Sequence, residues 1–311
     1  MVPKDLNAER LAQMDLDDFR PIAMLLRGRT FITAIRAEGS GIEGFWLDAA
    51  DDEAWAEGEQ RISDLNAQGW NIYFSPNPPR SDFSGAKPKL ADIPEIQFLQ
   101  VDLDPDDVAG LGHPLACAKA KNSAQRFSKT YLPNIAINSG NGFQLFWMFS
   151  KPVDVKTAIR LNKKLAHAAD QMSGISCSGT WNPDRIMRVA GTLNWPTGPK
   201  LRRGYPEEPT QASCLGVVPE RELDVEAIDA LSVPPEKYQS AATGTNIACH
   251  LDCCLSSLET ILWRWTMAGC WTHTMRPCTA ERRMAVIVAS ASWVFARGIG
   301  GMACRLLKVP L

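Results

Sequence analysis

Hydrophobic and polar residues alternate with the period of a β-strand in segment 96–105. Because successive side chains of a strand point to opposite faces, one face of this strand is predicted to be apolar. That face comprises Leu99, Val101 and Leu103. The opposite face ends in Asp102 and Asp104, whose Cα atoms would lie roughly 6.5–7 Å apart, close enough for both carboxylates to bind the same hard cations. A solvated acidic turn is the plainer alternative, since Asp106 and Asp107 follow.

The rest of residues 1–240 shows the periods of both helices and strands. A period of 3.6 residues between apolar positions predicts helices, and runs of aromatic and β-branched residues predict strands. The predicted helices span residues 5–26 (broken at Pro21), 51–68, 106–129 and 154–173. The further predicted strands span residues 30–37, 70–74 and the two arms of a hairpin within 135–149. We therefore expect a mixed α and β protein.

Composition and charge are those of a globular protein that is not generally basic. The chain has 311 residues, of which 45% are hydrophobic, and a formal net charge of −2. Any nucleic-acid contact therefore has to use local basic patches rather than a strongly positive surface. The beginning of the chain lacks the apolar run of a signal peptide, and the longest apolar run, residues 284–296, is too short to span a bilayer. A cytoplasmic location is expected.

The composition changes sharply near residues 235–245, so two segments are predicted, 1–235 and 236–311. Residues 241–311 contain six of the nine cysteines and four of the ten tryptophans, but only three acidic residues. The cysteine spacing matches no regular zinc-binding pattern, and a disulfide framework is not expected in a cytoplasmic chain. Helical and strand periodicity also disappear there. We interpret this tail as an out-of-frame or degenerate remnant of a longer protein.

The second informative stretch, residues 135–149, predicts a strand, a tight turn and another strand. Gly140 and Gly142 in this turn allow backbone conformations that other residues rarely adopt. One face of the second strand is apolar, and Gln144 lies on the other face. Backbone N–H groups in such a turn can bind an anion such as phosphate. Taken alone, however, the stretch favours a plain β-hairpin.

The third stretch, residues 181–200, concentrates one acid, several cations and turn residues in a segment with little apolar content. Its charged residues are Asp184, Arg185, Arg188 and Lys200. A surface ion pair between Asp184 and Arg188 would account for two of them and would contribute little stability. The cations are also the kind of group that binds phosphate.

Taken together, the three stretches resemble the RepB-like primase domain of the archaeo-eukaryotic primase superfamily, which occurs in phage and plasmid replication proteins. The matching segments, in chain order, are 71–78, which precedes the first motif, and then the three motifs themselves at 102–104, 139–144 and 184–194. The resemblance covers residues 30–205. Its most specific part is the third motif.

The resemblance implies a nucleotidyltransferase core with an α+β fold, in which an RRM-like antiparallel sheet has flanking helices. It also implies an active site in which three carboxylates bind two divalent metal ions, Mg²⁺ or Mn²⁺. The implied catalytic and metal-binding residues are Asp102, Asp104 and Asp184. The implied nucleotide-binding residues are Ser139, Gly140, Gly142, Gln144, Arg185, Arg188 and Lys200.

The partners of such a domain follow from the same resemblance. A DNA primase acts on a single-stranded DNA template and nucleoside triphosphates, and it works beside a replicative helicase. The chain contains no Gly-x4-Gly-Lys-Ser/Thr loop for the ATP of a helicase. The helicase is therefore expected on a separate or missing domain.

Two positions depart from the family pattern. Gln144 stands where the second motif usually has a histidine that contacts the incoming nucleotide, and Ala190 stands where proline is common. Glutamine can donate a hydrogen bond to a phosphate but carries no charge, so Arg185, Arg188 or Lys200 would have to compensate.

Two other functions remain open on the sequence. The domain could bind DNA as a replication-initiation module without catalysis, in which case the acids would be vestigial. It could also be a metal-dependent nuclease, since nucleases use similar carboxylate clusters. A rolling-circle initiator is disfavoured, because none of the four histidines forms the His-hydrophobe-His pair that such proteins need.

Overall fold

The computed structural model describes residues 14–105, 111–177 and 180–232. The α-helices in these residues are α1 (Arg20–Leu25), α2 (Asp52–Ala67), α3 (His113–Thr130), α4 (Val155–Ser173), α5 (Gly198–Arg202) and α6 (Val225–Asp229), with short 3₁₀ turns at Leu16–Asp18 and Leu90–Asp92. The strands are β1 (Arg29–Arg36), β2 (Ile42–Asp48), β3 (Trp70–Phe74), β4 (Ile96–Leu103), β5 (Ile135–Asn138), β6 (Phe143–Val153), β7 (Met187–Arg188), β8 (Leu193–Asn194), β9 (Thr210–Gln211) and β10 (Ser213–Val217). No helix in the described ranges is long and apolar enough to cross a membrane.

The strands form two four-stranded sheets and one two-stranded sheet, and every pairing is antiparallel. The N-terminal sheet has the order β2-β1-β3-β7, and the acid-bearing sheet, which contains the strand of Asp102, has the order β10-β5-β6-β4. β8 pairs with β9. The elements of the acid-bearing sheet follow each other in the chain as β4, α3, β5, β6 and α4. Its last strand, β10, comes after β7, β8, α5 and β9. The predicted α+β fold, an antiparallel sheet core with flanking helices, is therefore confirmed.

The acid-bearing sheet is buried on both faces. Leu99, Val101 and Leu103 of β4 lie in a core shared with α3 and α4, as their alternation predicts. The opposite face, which includes Phe98 and Phe146, lies in a second core together with the N-terminal sheet. β4 is therefore held between two close-packed cores, and this fixes the place of the polar residues at its end.

Capping residues set the ends of two long helices where the sequence predicts them. Asp51 accepts hydrogen bonds from main-chain N–H groups in the first turn of α2, and Gly69, with a φ of +86°, follows the end of this helix. Asp154 caps α4 in the same way through the N–H of Thr157. Gly174 ends α4 in the left-handed conformation that favours glycine.

Two predicted helices differ from the structure. Pro21 lies in the first turn of α1, where proline is tolerated, so it begins a helix rather than breaking one. α3 begins at His113 after two non-helical residues, so the prediction of a helix that runs on from residue 106 is wrong there. Residues 1–13, 106–110 and the whole predicted tail from 236 lie outside the described ranges. The interpretation of the tail stays a prediction.

Candidate active site

β4 ends in two acids, Asp102 and Asp104, which we call the acid pair. Asp102 lies opposite Gln144 of β6 in the antiparallel register, and only 7% of it is exposed. Asp104 follows the strand directly, close enough for its charge to act on Asp102. The structure therefore brings these carboxylates together, and the burial of Asp102 argues against a simple solvated turn.

The surroundings of Asp102 disfavour its ionised form. Burial raises the pKa of Asp102 above its usual range, and the neighbouring Asp104 carboxylate raises this pKa further. The Arg185 guanidinium lowers it in part, through its charge and a hydrogen bond. Ionisation of the buried Asp102 beside the Asp104 carboxylate therefore costs free energy unless cations neutralise the two charges.

Cationic and phenolic side chains contact the acid pair. Arg185 Nη2 lies 3.2 Å from Asp102 Oδ2, and Lys200 Nζ lies 3.6 Å from Asp104 Oδ2. The Tyr205 hydroxyl donates to Asp104 Oδ1 at 3.2 Å, and Lys200 lies over the Tyr205 ring, 4.9 Å from its centroid. The sequence pointed to Arg185 and Lys200 but not to Tyr205, because a single tyrosine in a loop beyond the third motif belongs to no periodic pattern.

The third acid, Asp184, lies on the loop before β7. Two buried amides hold this loop: Gln100 Nε2 donates to the Asn182 carbonyl at 2.8 Å, and Asn77 Nδ2 donates to the Pro183 carbonyl at 3.4 Å. Among the residues that the structure describes, no three His, Cys, Asp or Glu side chains are grouped so that they could hold a metal ion. The role of Asp184 as a third metal ligand stays a prediction.

Arg188 is a buried cation whose guanidinium is held by neutral groups, and only 5% of it is exposed. Nη1 donates to Asn71 Oδ1 at 2.8 Å, and Nη2 donates to Asn194 Oδ1 at 2.8 Å and to the Tyr73 hydroxyl at 3.1 Å. Burial lowers the pKa of Arg188, but arginine stays protonated in proteins. Among the described residues, Arg188 does not form the ion pair with Asp184 that the sequence suggested, and the charges of Asp102 and Asp104 raise its pKa in part.

The turn of the second motif uses its N–H groups within the hairpin. Ser139 N–H donates to the Gly142 carbonyl at 2.9 Å, and Gly142 N–H donates to Ser139 Oγ at 3.1 Å. Gly140 N–H donates to Asn138 Oδ1 at 3.0 Å. Because these three donors already have partners, the geometry favours the plain hairpin over a phosphate cradle made of Ser139, Gly140 and Gly142.

Gln144 lies on β6 and faces the third motif. It is 6% exposed, and its Oε1 accepts the main-chain N–H of Arg188 at 2.9 Å. This bond joins the acid-bearing sheet to β7 of the N-terminal sheet. The two residues are 44 positions apart, so no local pattern in the sequence could show the contact.

No protein-family model and no curated protein matches the chain. Among solved structures, it is similar to the AEP domain of the primase-polymerase of cyanophage S-2L, with 18% identity over 70% of this chain and 97% of that one and a TM-score of 0.43. It is also similar to the catalytic domain of primase RepB′ in complex with initiator DNA, with 12% identity, coverage of 71% and 92%, and a TM-score of 0.44. A further structure of primase RepB′ matches with 11% identity, coverage of 93% and 75%, and a TM-score of 0.45. The first of these structures is named as a primase-polymerase domain and the other two as a primase.

Proposed function

We propose that residues 30–205 form a DNA primase domain of the primase-polymerase type, which synthesises primers on single-stranded DNA from nucleoside triphosphates. The observation that supports this proposal best is the acid pair at the end of β4, with one cation against each of its carboxylates. Nucleotidyl transfer needs carboxylates for divalent metal ions and cations for the triphosphate in the same place. A replicative helicase on another polypeptide is the proposed protein partner, because a duplex must be unwound before it can be copied.

The oxygen donors of the acid pair suit Mg²⁺ or Mn²⁺, since both ions prefer carboxylate ligands. Asp102 and Asp104 would hold the metal ions, and Asp184 is the proposed third ligand. The bound metal would neutralise charge on the attacked α-phosphate and lower the pKa of the primer 3′-hydroxyl.

The cations of the third motif have two proposed roles. Arg185 and Lys200 neutralise the acid pair in this structure. With the carboxylates bound to divalent ions, the same two side chains would be able to contact phosphate oxygens of the nucleotide instead. Arg188 is held by neutral hydrogen-bonding groups, so its charge would contribute a positive potential from a fixed position.

Primer synthesis on single-stranded DNA with Mg²⁺ or Mn²⁺, supplied with ribo- or deoxynucleoside triphosphates, tests the proposal. We expect Asp102→Asn and Asp104→Asn each to abolish synthesis, because each substitution removes a charged metal ligand, while thermal unfolding shows that both variants are folded. Asp64→Asn changes an exposed carboxylate on α2 and is the matched control, which should keep full activity. Near-normal synthesis by either site variant would show that the metal assignment is wrong.

The same assay with an end-labelled template separates the two other functions that the sequence leaves open. Shortening of the template without primer formation would identify a metal-dependent nuclease. Binding of the template without either product would identify a DNA-binding module whose acids have no catalytic role. Either result would contradict the proposed primase.

A further inference from the structure

A ring of hydrogen bonds joins the second and third motifs. Gln144 Oε1, on the acid-bearing sheet, accepts the main-chain N–H of Arg188 on β7. Arg188 Nη2 donates to Asn194 Oδ1, and Asn194 Nδ2 donates to the Ser139 carbonyl at 2.7 Å. Ser139 begins the turn that leads back along the chain to Gln144. The three hydrogen bonds and the main chain from Ser139 to Gln144 together close the ring. This ring links the acid-bearing sheet to β7 of the N-terminal sheet.

A branch of the same network reaches the strand that precedes the first motif. Arg188 Nη1 donates to Asn71 Oδ1 of β3, and Asn71 also bonds the main-chain N–H and carbonyl of Trp195 at 2.8 and 3.0 Å. Gln144, Arg188, Asn194 and Asn71 are all buried. Buried polar groups whose hydrogen bonds are satisfied make a region rigid. β7 has only two residues, so this network replaces the long ladder of main-chain bonds that fixes an ordinary strand.

The place of β7 matters for the candidate active site. The loop that leads into β7 carries Asp184 and Arg185, and Arg185 reaches Asp102. Asp102 itself lies directly opposite Gln144 in the register of β4 and β6. Gln144 therefore connects the strand pair that carries the first acid to the segment that carries the third.

We propose that Gln144 is a positioning residue, which fixes Asp184 and Arg185 relative to Asp102 by holding the main chain of Arg188. The proposal rests on the proposed function, because it assigns Gln144 a part in the same reaction. It also gives a physical reason for glutamine at this position. An amide supplies a neutral acceptor for the main-chain N–H of Arg188, and its charge does not change with pH.

The alternative is a direct contact between Gln144 and the nucleotide, and the two roles differ in their kinetics. Loss of a direct neutral contact would raise the nucleotide KM by roughly threefold to tenfold and leave kcat unchanged. Displacement of Asp184 and Arg185 would instead lower kcat by about tenfold or more, because small errors of position are costly in the transition state. The nucleotide KM would then change less than about threefold.

The test compares three variants of the full chain. Gln144→Met keeps the length of the side chain but removes the acceptor, Gln144→Glu keeps an acceptor oxygen, and Gln60→Met changes an exposed glutamine on α2 as the control. Hydrogen exchange of the Arg188 amide, followed by NMR, should become faster in Gln144→Met and stay slow in the other two. Gln144→Met should also show the kcat effect in primer synthesis, whereas Gln60→Met should not.

Two results would overturn the proposal: unchanged exchange at Arg188 in Gln144→Met, or a higher nucleotide KM with kcat preserved. The exchange measurement does not depend on catalysis. It decides the role of the hydrogen bond even if the wild-type protein makes no primer, a result that would count against the proposed function instead. If Gln144→Met does not fold, Gln144→Asn, whose amide is one methylene shorter, takes its place with the same expectations.

Discussion

The ionised form of Asp102 opposes folding of the metal-free protein. Burial and the Asp104 charge make the pKa of Asp102 higher in the folded state than in the unfolded chain. The folded state therefore binds this proton more tightly. The stability that protonation contributes is fully present below the unfolded pKa, about 4, and is lost as pH rises through the higher folded pKa.

We expect Asp102→Asn to raise the melting temperature of the metal-free protein at pH 7 by a few degrees, because asparagine has a similar shape and no charge to bury. The difference should shrink toward pH 4, where the wild-type carboxyl becomes protonated. Thermal unfolding in the presence of a chelator across this pH range measures it. Asp64→Asn, on the exposed face of α2, should show no such gain. A lower melting temperature for Asp102→Asn at pH 7 would mean that its pair with Arg185 outweighs the cost of burial.

Individual residues differ in how far the sequence could predict their roles. Asp102 and Asp104 could be found because they lie two positions apart on one predicted strand. The partners of Gln144 and Arg188 could not, because hydrogen bonds between distant segments and the burial of a charged group leave no local pattern. The nucleotide contacts that the sequence predicts for these two side chains stay a prediction.

The β5-β6 hairpin touches the end of β4 at Gly142. A Cβ atom at this position would lie 2.6 Å from the Leu103 carbonyl oxygen and 3.3 Å from Asp104 Cα. Both are main-chain atoms, which cannot move aside as the end of a flexible side chain can. The absence of a side chain at Gly142 therefore lets the turn and the acid pair lie against each other.

We expect Gly142→Ala to lower primer synthesis by about tenfold or more, because the turn or the strand end must shift and Asp104 moves with it. Initial rates of primer synthesis, together with thermal unfolding to show that the variant is folded, measure the effect. Gly216→Ala on β10 is the control, since a Cβ there would meet nothing within 4 Å. Full activity of Gly142→Ala would show that the position of Asp104 is not critical.

Secondary-structure elements were predictable where they are long. The bounds of α2 and α4 follow from capping aspartates and terminal glycines, which act through neighbouring atoms. β7, β8 and β9 were not predicted, because two residues are a single period of strand alternation. Two-residue strands of this kind are defined only by their hydrogen bonds to another strand. β2 was also missed, since its edge position leaves it without a continuous apolar face.

The two four-stranded sheets share one hydrophobic core, so they are expected to unfold together. Phe98 and Phe146 of the acid-bearing sheet lie in the same cluster as Ile32, Ile72 and Phe74 of the N-terminal sheet. A mixture of helices and strands could be predicted from local periods alone, and the α+β class followed from the resemblance of the three motifs. The presence of two sheets and the faces they share could not, because these depend on which distant strands pair.

We expect removal of residues 241–311 to leave the melting temperature and any primer synthesis essentially unchanged. The sequence of that segment shows no amphipathic face that the rest of the chain would need. Thermal unfolding and primer synthesis of residues 1–240, compared with the full chain, measure this. A large loss of folded protein on truncation would show that the tail packs against the domain.

Asn66 and Asn71 form hydrogen bonds with residues that are far away in the sequence. Their amides bond the main chain at Leu193 and Trp195, which lie 127 and 124 positions away. Closing loops of this length costs entropy that is recovered only when both ends are in place. The β1-β2 hairpin and α2 are made and can form long before the ribosome has supplied the third motif. The candidate active site can therefore be completed only after the third motif has been synthesised.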